Sequence, residues 1–172
     1  MRICFAVYMG LSATHLHDPM IIADIAKIPG NTFPARRWGR GLAGQSGQPI
    51  PAKGFTMGYV ILEPNGGQVP WHNQEQEEVY MVLQGRGEIC VGEEKSEITA
   101  GQMVYLPATV FHQLTNVGDS PLHMMYCYCP GGDVAHWRQE LEGTLPRAGE
   151  GDIPALPAGA QPQCTDKAQA PL

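Results

Sequence analysis

The chain has 172 residues, of which 43% are hydrophobic and only 16% are charged, and this length suits one folded domain with tails. Its formal charge of -6 and its total of 11 Lys and Arg residues argue against a nucleic-acid-binding surface, which needs clustered positive charge. No apolar run reaches the roughly 20 residues that cross a bilayer, so we expect no membrane span.

Two segments precede the main domain. Residues 1–19 carry Arg2 and then an apolar run that Gly10 and Ser12 interrupt. A positive region of one residue makes a poor secretory signal, whereas the sequence from Met20 looks like an ordinary protein start. We therefore interpret residues 1–19 as an extension or a weak targeting segment, and residues 20–54, rich in Gly and Pro, as an irregular N-terminal arm.

Eight short β-rich segments, separated by glycine turns, follow between residues 55 and 130. The predicted strands are residues 55–63, 69–74, 78–84, 87–91, 95–98, 103–106, 112–116 and 122–128. Their number and spacing predict an all-β fold in which two sheets enclose one interior, as in a jelly-roll β-barrel.

The sequence after the strands predicts one short helix and a tail. Residues 133–142 have Asp133 as a candidate N-cap, and Gly143 can end the helix. Val134, Trp137 and Leu141 recur at helical spacing and are the expected inner face. Gly, Ala and Pro fill half of residues 143–172, which predicts an extended or disordered tail.

The five cysteines are odd in number and irregular in spacing. A chain of this length can build a hydrophobic core without disulfides, so we expect free, buried thiols. This interpretation indicates a reducing, cytoplasmic location. The cysteines are Cys4, Cys90, Cys127, Cys129 and Cys164.

A group of polar residues occupies the second and third predicted strands. Alternate residues of a strand share a face, so His72 and Gln74 can project together, and Glu78 keeps the same parity or returns from the next strand. Burying an imidazole, an amide and a carboxylate is costly unless something pairs with them, and a cation would satisfy all three. The alternative is an ordinary strand histidine beside a solvated turn that contains Glu75, Glu77 and Glu78.

A second segment makes the metal-site interpretation stronger. The first segment carries Gly66, His72, Gln74, Glu78 and Gly85, and the second carries Gly101, Pro107, His112 and Asn116. At these spacings the two segments together resemble the two motifs of the cupin superfamily. The resemblance covers residues 55–130. It implies a cupin jelly-roll with one divalent metal ion bound by His72, Gln74, Glu78 and His112.

Two positions depart from the family pattern. Gln74 stands where most members have a second His, and an amide oxygen is a weaker and harder donor than imidazole. The metal would then be a stronger Lewis acid, and Zn, Mn, Ni and Fe(II) all suit such a ligand set. Thr109 replaces a Gly of the second motif, and we expect a different turn there because a β-carbon disfavours positive φ.

Other residues are candidates for the substrate site. Trp71, Tyr80 and Phe111 form either an aromatic rim around a substrate or part of the core. His123 shares parity with Met125 on the last strand, so an inward-pointing His123 is a candidate for proton transfer.

Three arginines lie within five positions of the arm, next to Trp38. A guanidinium group offers the planar fork that suits a carboxylate, so Arg36, Arg37 and Arg40 are candidates for binding an anionic substrate. The alternative is that they pair with the glutamates between residues 75 and 78 or with a partner subunit.

These features predict a metal-dependent enzyme that acts on an oxygen-rich small molecule, a hydroxy-carbonyl compound or a carboxylate. Isomerase, lyase or cyclase chemistry needs only a Lewis acid. The alternatives are an Fe or Ni dioxygenase and a non-catalytic cupin that binds a small ligand. We also expect a homodimer, since cupins commonly pair through a sheet face and the arm has little core of its own.

Overall fold

The computed structural model describes residues 20–45 and 47–166. The segment interpreted as an extension, residues 1–19, lies outside these residues, as does Cys4. Among the described helices, none is long and apolar enough to cross a membrane.

Two antiparallel sheets make up most of the described structure. The six-stranded sheet has the order β1-β2-β3-β10-β5-β8, and the four-stranded sheet has the order β4-β9-β6-β7. The larger sheet contains β1 (Asn31–Phe33), β2 (Arg37–Ala43), β3 (Thr56–Leu62), β5 (Glu77–Gln84), β8 (Met103–Leu106) and β10 (Leu122–Cys129). The smaller sheet contains β4 (Gln68–His72), β6 (Arg86–Val91), β7 (Glu94–Thr99) and β9 (His112–Asn116).

The hydrophobic core lies between the two sheets. Val60 of β3 and Met124 of β10 belong to the same buried cluster as Val69 of β4 and Leu114 of β9. Both sheets therefore turn an apolar face toward one interior, as the alternating patterns predicted. The predicted all-β jelly-roll is confirmed, and strands β3 to β10 correspond to the eight predicted segments.

The N-terminal arm is not irregular throughout. Residues 31–33 and 37–43 form β1 and β2, and β2 pairs with β3, so the arm widens the larger sheet. The prediction missed β2 because Gly39 and Gly41 interrupt its pattern and glycine is depleted in strands. A β-carbon on Gly41 would lie 2.1 Å from the side-chain oxygen of Gln48, so the glycine allows a close contact.

The predicted helix is present and shorter than expected. Helix α1 spans His136–Glu142 and begins after Ala135, while the carboxylate of Asp133 pairs with the guanidinium of Arg138. Gly143 ends the helix with φ 71°, as predicted.

The inner face of α1 is polar rather than apolar. His136 and Glu140 are the buried residues of the helix, whereas Leu141 is 58% exposed. The expected face of Val134, Trp137 and Leu141 is therefore wrong for Leu141. This face of α1 instead places Glu140 against the buried Arg37 and His136 against the ring of His72.

The tail follows an extended path. Residues 144–166, called the strap below, form neither helix nor strand, and they lie against the outer face of the four-stranded sheet. Side chains of that sheet donate hydrogen bonds to strap carbonyls: Trp71 to Pro154, Gln68 to Pro162 and Gln113 to Gln161, at 2.7–2.9 Å. The strap is rich in Gly, Ala and Pro and has few large apolar side chains to bury, so these hydrogen bonds hold it against the sheet.

Candidate metal centre

Three buried side chains from three strands meet in the interior near one end of the sheets. His72 ends β4, His112 begins β9 directly opposite it, and Glu78 lies on β5 of the other sheet. Their relative exposures are 2%, 1% and 4%. One ligand atom from each residue lies within 4.8 Å of those of the other two. The sequence-predicted donors His72, Glu78 and His112 are thus brought together.

A register shift in β4 turns His72 inward. The pairing of β4 with β9 shifts between Val69 and His72, so both residues face the interior although they lie three apart. Such a bulge re-aims the side chains that follow it. Trp71 consequently points outward, toward the strap.

Backbone carbonyls fix both imidazole rings. Nδ1 of His72 is 2.7 Å from the carbonyl oxygen of Pro70, and Nδ1 of His112 is 2.9 Å from that of Val110. A carbonyl only accepts, so Nδ1 carries the proton and the lone pair is on Nε2. Both Nε2 atoms are buried and have no hydrogen-bond partner. This arrangement suits a metal-ligating histidine.

The electrostatics of the group favour a bound cation. Burial lowers the pKa of His72 well below its usual value, and the neighbouring His136 and His112 lower it further. Burial also raises the pKa of Glu78, although its interactions with His112 oppose the shift. Oε2 of Glu78 lies 3.5 Å from Nε2 of His112 and has no hydrogen-bond partner. A cation would offset the cost of burying this carboxylate.

Gln74 is also buried, two residues beyond the end of β4. Neither atom of its side-chain amide has a hydrogen-bond partner. Its backbone carbonyl accepts a 2.7 Å hydrogen bond from the amide of Thr109. The amide oxygen is therefore free to serve as a further donor.

Thr109 itself corrects a prediction. We expected the turn before His112 to change, yet Thr109 has φ 67° and keeps the left-handed conformation that glycine adopts easily. The hydrogen bond to Gln74 holds this conformation.

His136 of α1 lies beside the group and was missed by the sequence analysis. It is buried, neither ring nitrogen has a partner, and its ring centroid is 3.7 Å from that of His72. Burial lowers its pKa well below the usual value, with smaller contributions from Arg37 and His112. The available signal was the spacing of His136 and Glu140, which puts two polar residues on one helical face.

The three arginines have different environments. Arg37 is fully buried, and its Nη2 lies 2.7 Å from Oε1 of Glu140. Arg36 pairs with Glu63 at 3.2 Å, and Arg40 stacks 4.0 Å above the ring of Trp38. The observed carboxylate partners are thus Glu63 and Glu140, not the glutamates at 75–78. Arg37 is the arginine near the candidate site, since its charge acts on His72 and His136.

The aromatic candidates do not form one rim. Tyr80 is buried in the interior with its ring 5.8 Å from that of His112. Trp71 packs against Phe111 at 5.6 Å and donates its indole N–H to the strap.

His123 corrects another prediction. On β10 the buried residues are Leu122, Met124, Tyr126 and Tyr128, so His123 lies on the opposite face, where it contacts the hydroxyl of Tyr59. The side chains of the strand alternate as predicted. The prediction was wrong about which set faces inward, because His123 and Met125 belong to the outward-facing set.

The described cysteines are free, as predicted, although their burial differs. Cys90 is buried and Cys129 is exposed.

Comparison with known proteins finds a family match for part of the chain. Residues 58–128 match the Cupin_2 family, the cupin domain. An uncharacterized protein of Methanocaldococcus jannaschii is 34% identical over 70 residues, 40% of this chain and 56% of that protein. The chain spans about half the length of the curated relatives it matches.

Solved structures share the fold. An RmlC-like cupin from Shewanella frigidimarina is 13% identical, with a TM-score of 0.54 over 63% of this chain and 88% of that one. A structure of oxalate oxidase is 20% identical, with a TM-score of 0.56 over 69% of this chain and 65% of that one. The sequence match, the two-sheet fold and the buried His-Glu-His group agree with one another, and residues 58–128 carry a cupin domain.

Proposed function

We propose that the protein binds one divalent transition metal ion through His72, Gln74, Glu78 and His112 and acts on an oxygen-rich small molecule. One observation carries the proposal: Nε2 of both histidines and Oε2 of Glu78 converge, all three are buried, and none has a hydrogen-bond partner. Buried polar atoms are normally satisfied, so an unsatisfied group of this kind is explained by a ligand it holds. Zn, Mn, Ni and Fe all suit this set of nitrogen and oxygen donors.

When bound, the metal supplies a Lewis acid that stabilises negative charge on substrate oxygens. The residues around it supply orientation. The carbonyls of Pro70 and Val110 hold the two imidazole rings. Tyr80 is buried beside them, and its interaction with Glu78 lowers the pKa of that carboxyl, which favours the charged form that binds a cation.

The arrangement favours an enzyme over a purely structural site. Four protein donors leave coordination positions open on a metal that takes five or six ligands. A cavity of about 130 Å³ is lined in part by His72, so it lies next to the group. We propose isomerase, lyase or cyclase-like chemistry, since these reactions need no change in metal oxidation state. The same fold occurs in DMSP lyases and in an oxalate oxidase, so it accommodates both lyase and oxidase chemistry.

Metal analysis of protein purified without chelator tests the proposal. We expect about one transition-metal ion per chain in the wild type and a nearly complete loss in His72→Ala and in His112→Ala. His123→Ala is the matched control, because this histidine faces away from the group, and it should keep the full metal content. Full occupancy in both site variants contradicts the proposal. A predominance of Fe or Ni, with turnover that consumes dioxygen, would favour dioxygenase chemistry instead.

A further inference from the structure

Helix α1 places a second set of unsatisfied atoms beside the candidate metal centre. Both ring nitrogens of His136 are buried without a partner, and the ring lies against that of His72. His136 does not belong to the group whose donor atoms lie within 4.8 Å of one another, which contains His72, Glu78 and His112. Its position is adjacent to the predicted ligands and distinct from them.

Several contacts fix the position of His136. One turn later on the same helical face, Glu140 pairs with the fully buried Arg37 of β2 at 2.7 Å. Between them, Trp137 packs its ring 5.1 Å from that of Phe33 and 5.7 Å from that of Tyr126. The helix is therefore attached to the larger sheet at two positions that follow His136, namely Trp137 and Glu140. A side chain held so firmly, with no partner of its own, is pre-organised to bind a ligand.

A small cavity gives a ligand access to His136. Its lining includes two aromatic side chains, the two neighbouring histidines and two amides, namely Trp71, Phe111, His72, His136, Asn73 and Gln139. Its volume of about 130 Å³ corresponds to about four water molecules at ~30 Å³ each. A space of this size suits a short acid or hydroxy acid.

We propose that His136 is a substrate-binding residue that hydrogen-bonds an oxygen of a small carboxylate, such as a short hydroxy acid, held in this cavity. The inference rests on the proposed function, because the same ligand would reach the metal at His72. The glutamate–arginine pair, Glu140 with Arg37, acts as a positioning device for the helix that carries His136.

Binding of Mn²⁺ and of glycolate separates the roles of the residues. Both are titrated by calorimetry into wild-type protein, His136→Ala, His136→Gln and the control His123→Ala. We expect His136→Ala to bind Mn²⁺ like the wild type and glycolate about tenfold more weakly, the loss of one hydrogen bond to a charged group. His136→Gln keeps a hydrogen-bonding amide and should fall between the two. Thermal melting of each variant shows that it is folded.

Three results would overturn the inference. Loss of Mn²⁺ binding in His136→Ala would make His136 a metal ligand instead. Equal glycolate affinity in wild type and in both His136 variants would remove its role in substrate binding, and wild-type protein that binds no glycolate at millimolar concentration would exclude this ligand class. Wild-type protein that binds no Mn²⁺ or other divalent metal contradicts the proposed function. Glycolate titration of that metal-free protein still tests His136, because an unchanged affinity in His136→Ala contradicts the inference.

Discussion

Thr109 adopts a left-handed backbone conformation, with φ 67°, at the turn before His112. For a residue with a β-carbon this conformation costs about 1–2 kcal/mol, and Thr is β-branched. Thr109→Gly should therefore raise the free energy of unfolding by about 1 kcal/mol, after allowance for the greater flexibility of glycine in the unfolded chain. Urea denaturation measures the change. Ser96→Gly, in the exposed part of β7, is the control and should lower stability. Similar losses at both positions would contradict the strain argument.

Gln74 should set the affinity of the metal centre. An imidazole is a stronger donor than an amide oxygen for the late transition metals, so Gln74→His should bind Zn²⁺ at least as tightly as the wild type. We also expect slower turnover, since stronger donation lowers the Lewis acidity of the metal. Competition with a chelator measures the affinity, and Gln102→His, at an exposed site near β8, is the control. Weaker Zn²⁺ binding in Gln74→His than in the wild type would show that Gln74 is not a ligand.

The sequence predicts the position of a residue well where a motif spacing or a single strand periodicity determines that position. His72, Glu78 and His112 were predicted by motif spacing and found together. His123 was assigned to the wrong face, because a strand has two parities and the sequence of β10 is apolar on both. Only the packed structure shows that the faces differ in burial.

Helix α1 is the element in which polar contacts replace the usual apolar inner face. Its buried positions are His136 and Glu140, whereas an apolar-periodicity argument chooses Leu141, which is exposed. The partner of Glu140, Arg37, is 103 residues away in the chain. No local sequence pattern could reveal a pairing between residues so far apart. The strand that carries Arg37 was also not predicted, because two glycines interrupt its alternating pattern.

The ion pair between Arg37 and Glu140 should contribute strongly to the stability of this element. Its side chains are 0% and 2% exposed, so Glu140→Ala would leave a buried guanidinium without its carboxylate. Removing one partner of a buried pair costs about 3–5 kcal/mol. The exposed pair of Arg138 with Asp133 is the control, and Arg138→Ala should change stability by less than about 1 kcal/mol. Equal small effects in urea denaturation would show that the buried pair does not hold α1.

At the scale of the whole molecule, the two sheets differ in what covers their outer faces. The strap lies on the four-stranded sheet, whereas the outer face of the six-stranded sheet exposes large apolar side chains. These are Val79, Met81, Leu83, Met103 and Tyr105, on β5 and β8. Contiguous apolar side chains of this kind are typical of protein–protein interfaces.

Most of the fold was predictable from the sequence, because strands β3 to β10 follow a clear alternation with glycine turns.

The homodimer stays a prediction, and this face is where we expect it to form. Sedimentation velocity at micromolar concentration should show a dimer, and Met103→Lys, at a 67% exposed position, should shift it toward monomer because a charge would be buried. Glu93→Lys, on the turn between β6 and β7, is the control and should leave the dimer intact. A wild-type monomer would contradict the prediction.

The most direct measurement of the central claim is a crystal structure of metal-loaded protein with anomalous diffraction recorded at the metal edge. The account predicts one strong anomalous peak per chain, about 2.0–2.2 Å from Nε2 of His72, Nε2 of His112 and a carboxylate oxygen of Glu78. The amide oxygen of Gln74 should face the same peak. No peak between these residues, or a peak only at surface side chains, would contradict the assignment of a metal centre to this protein.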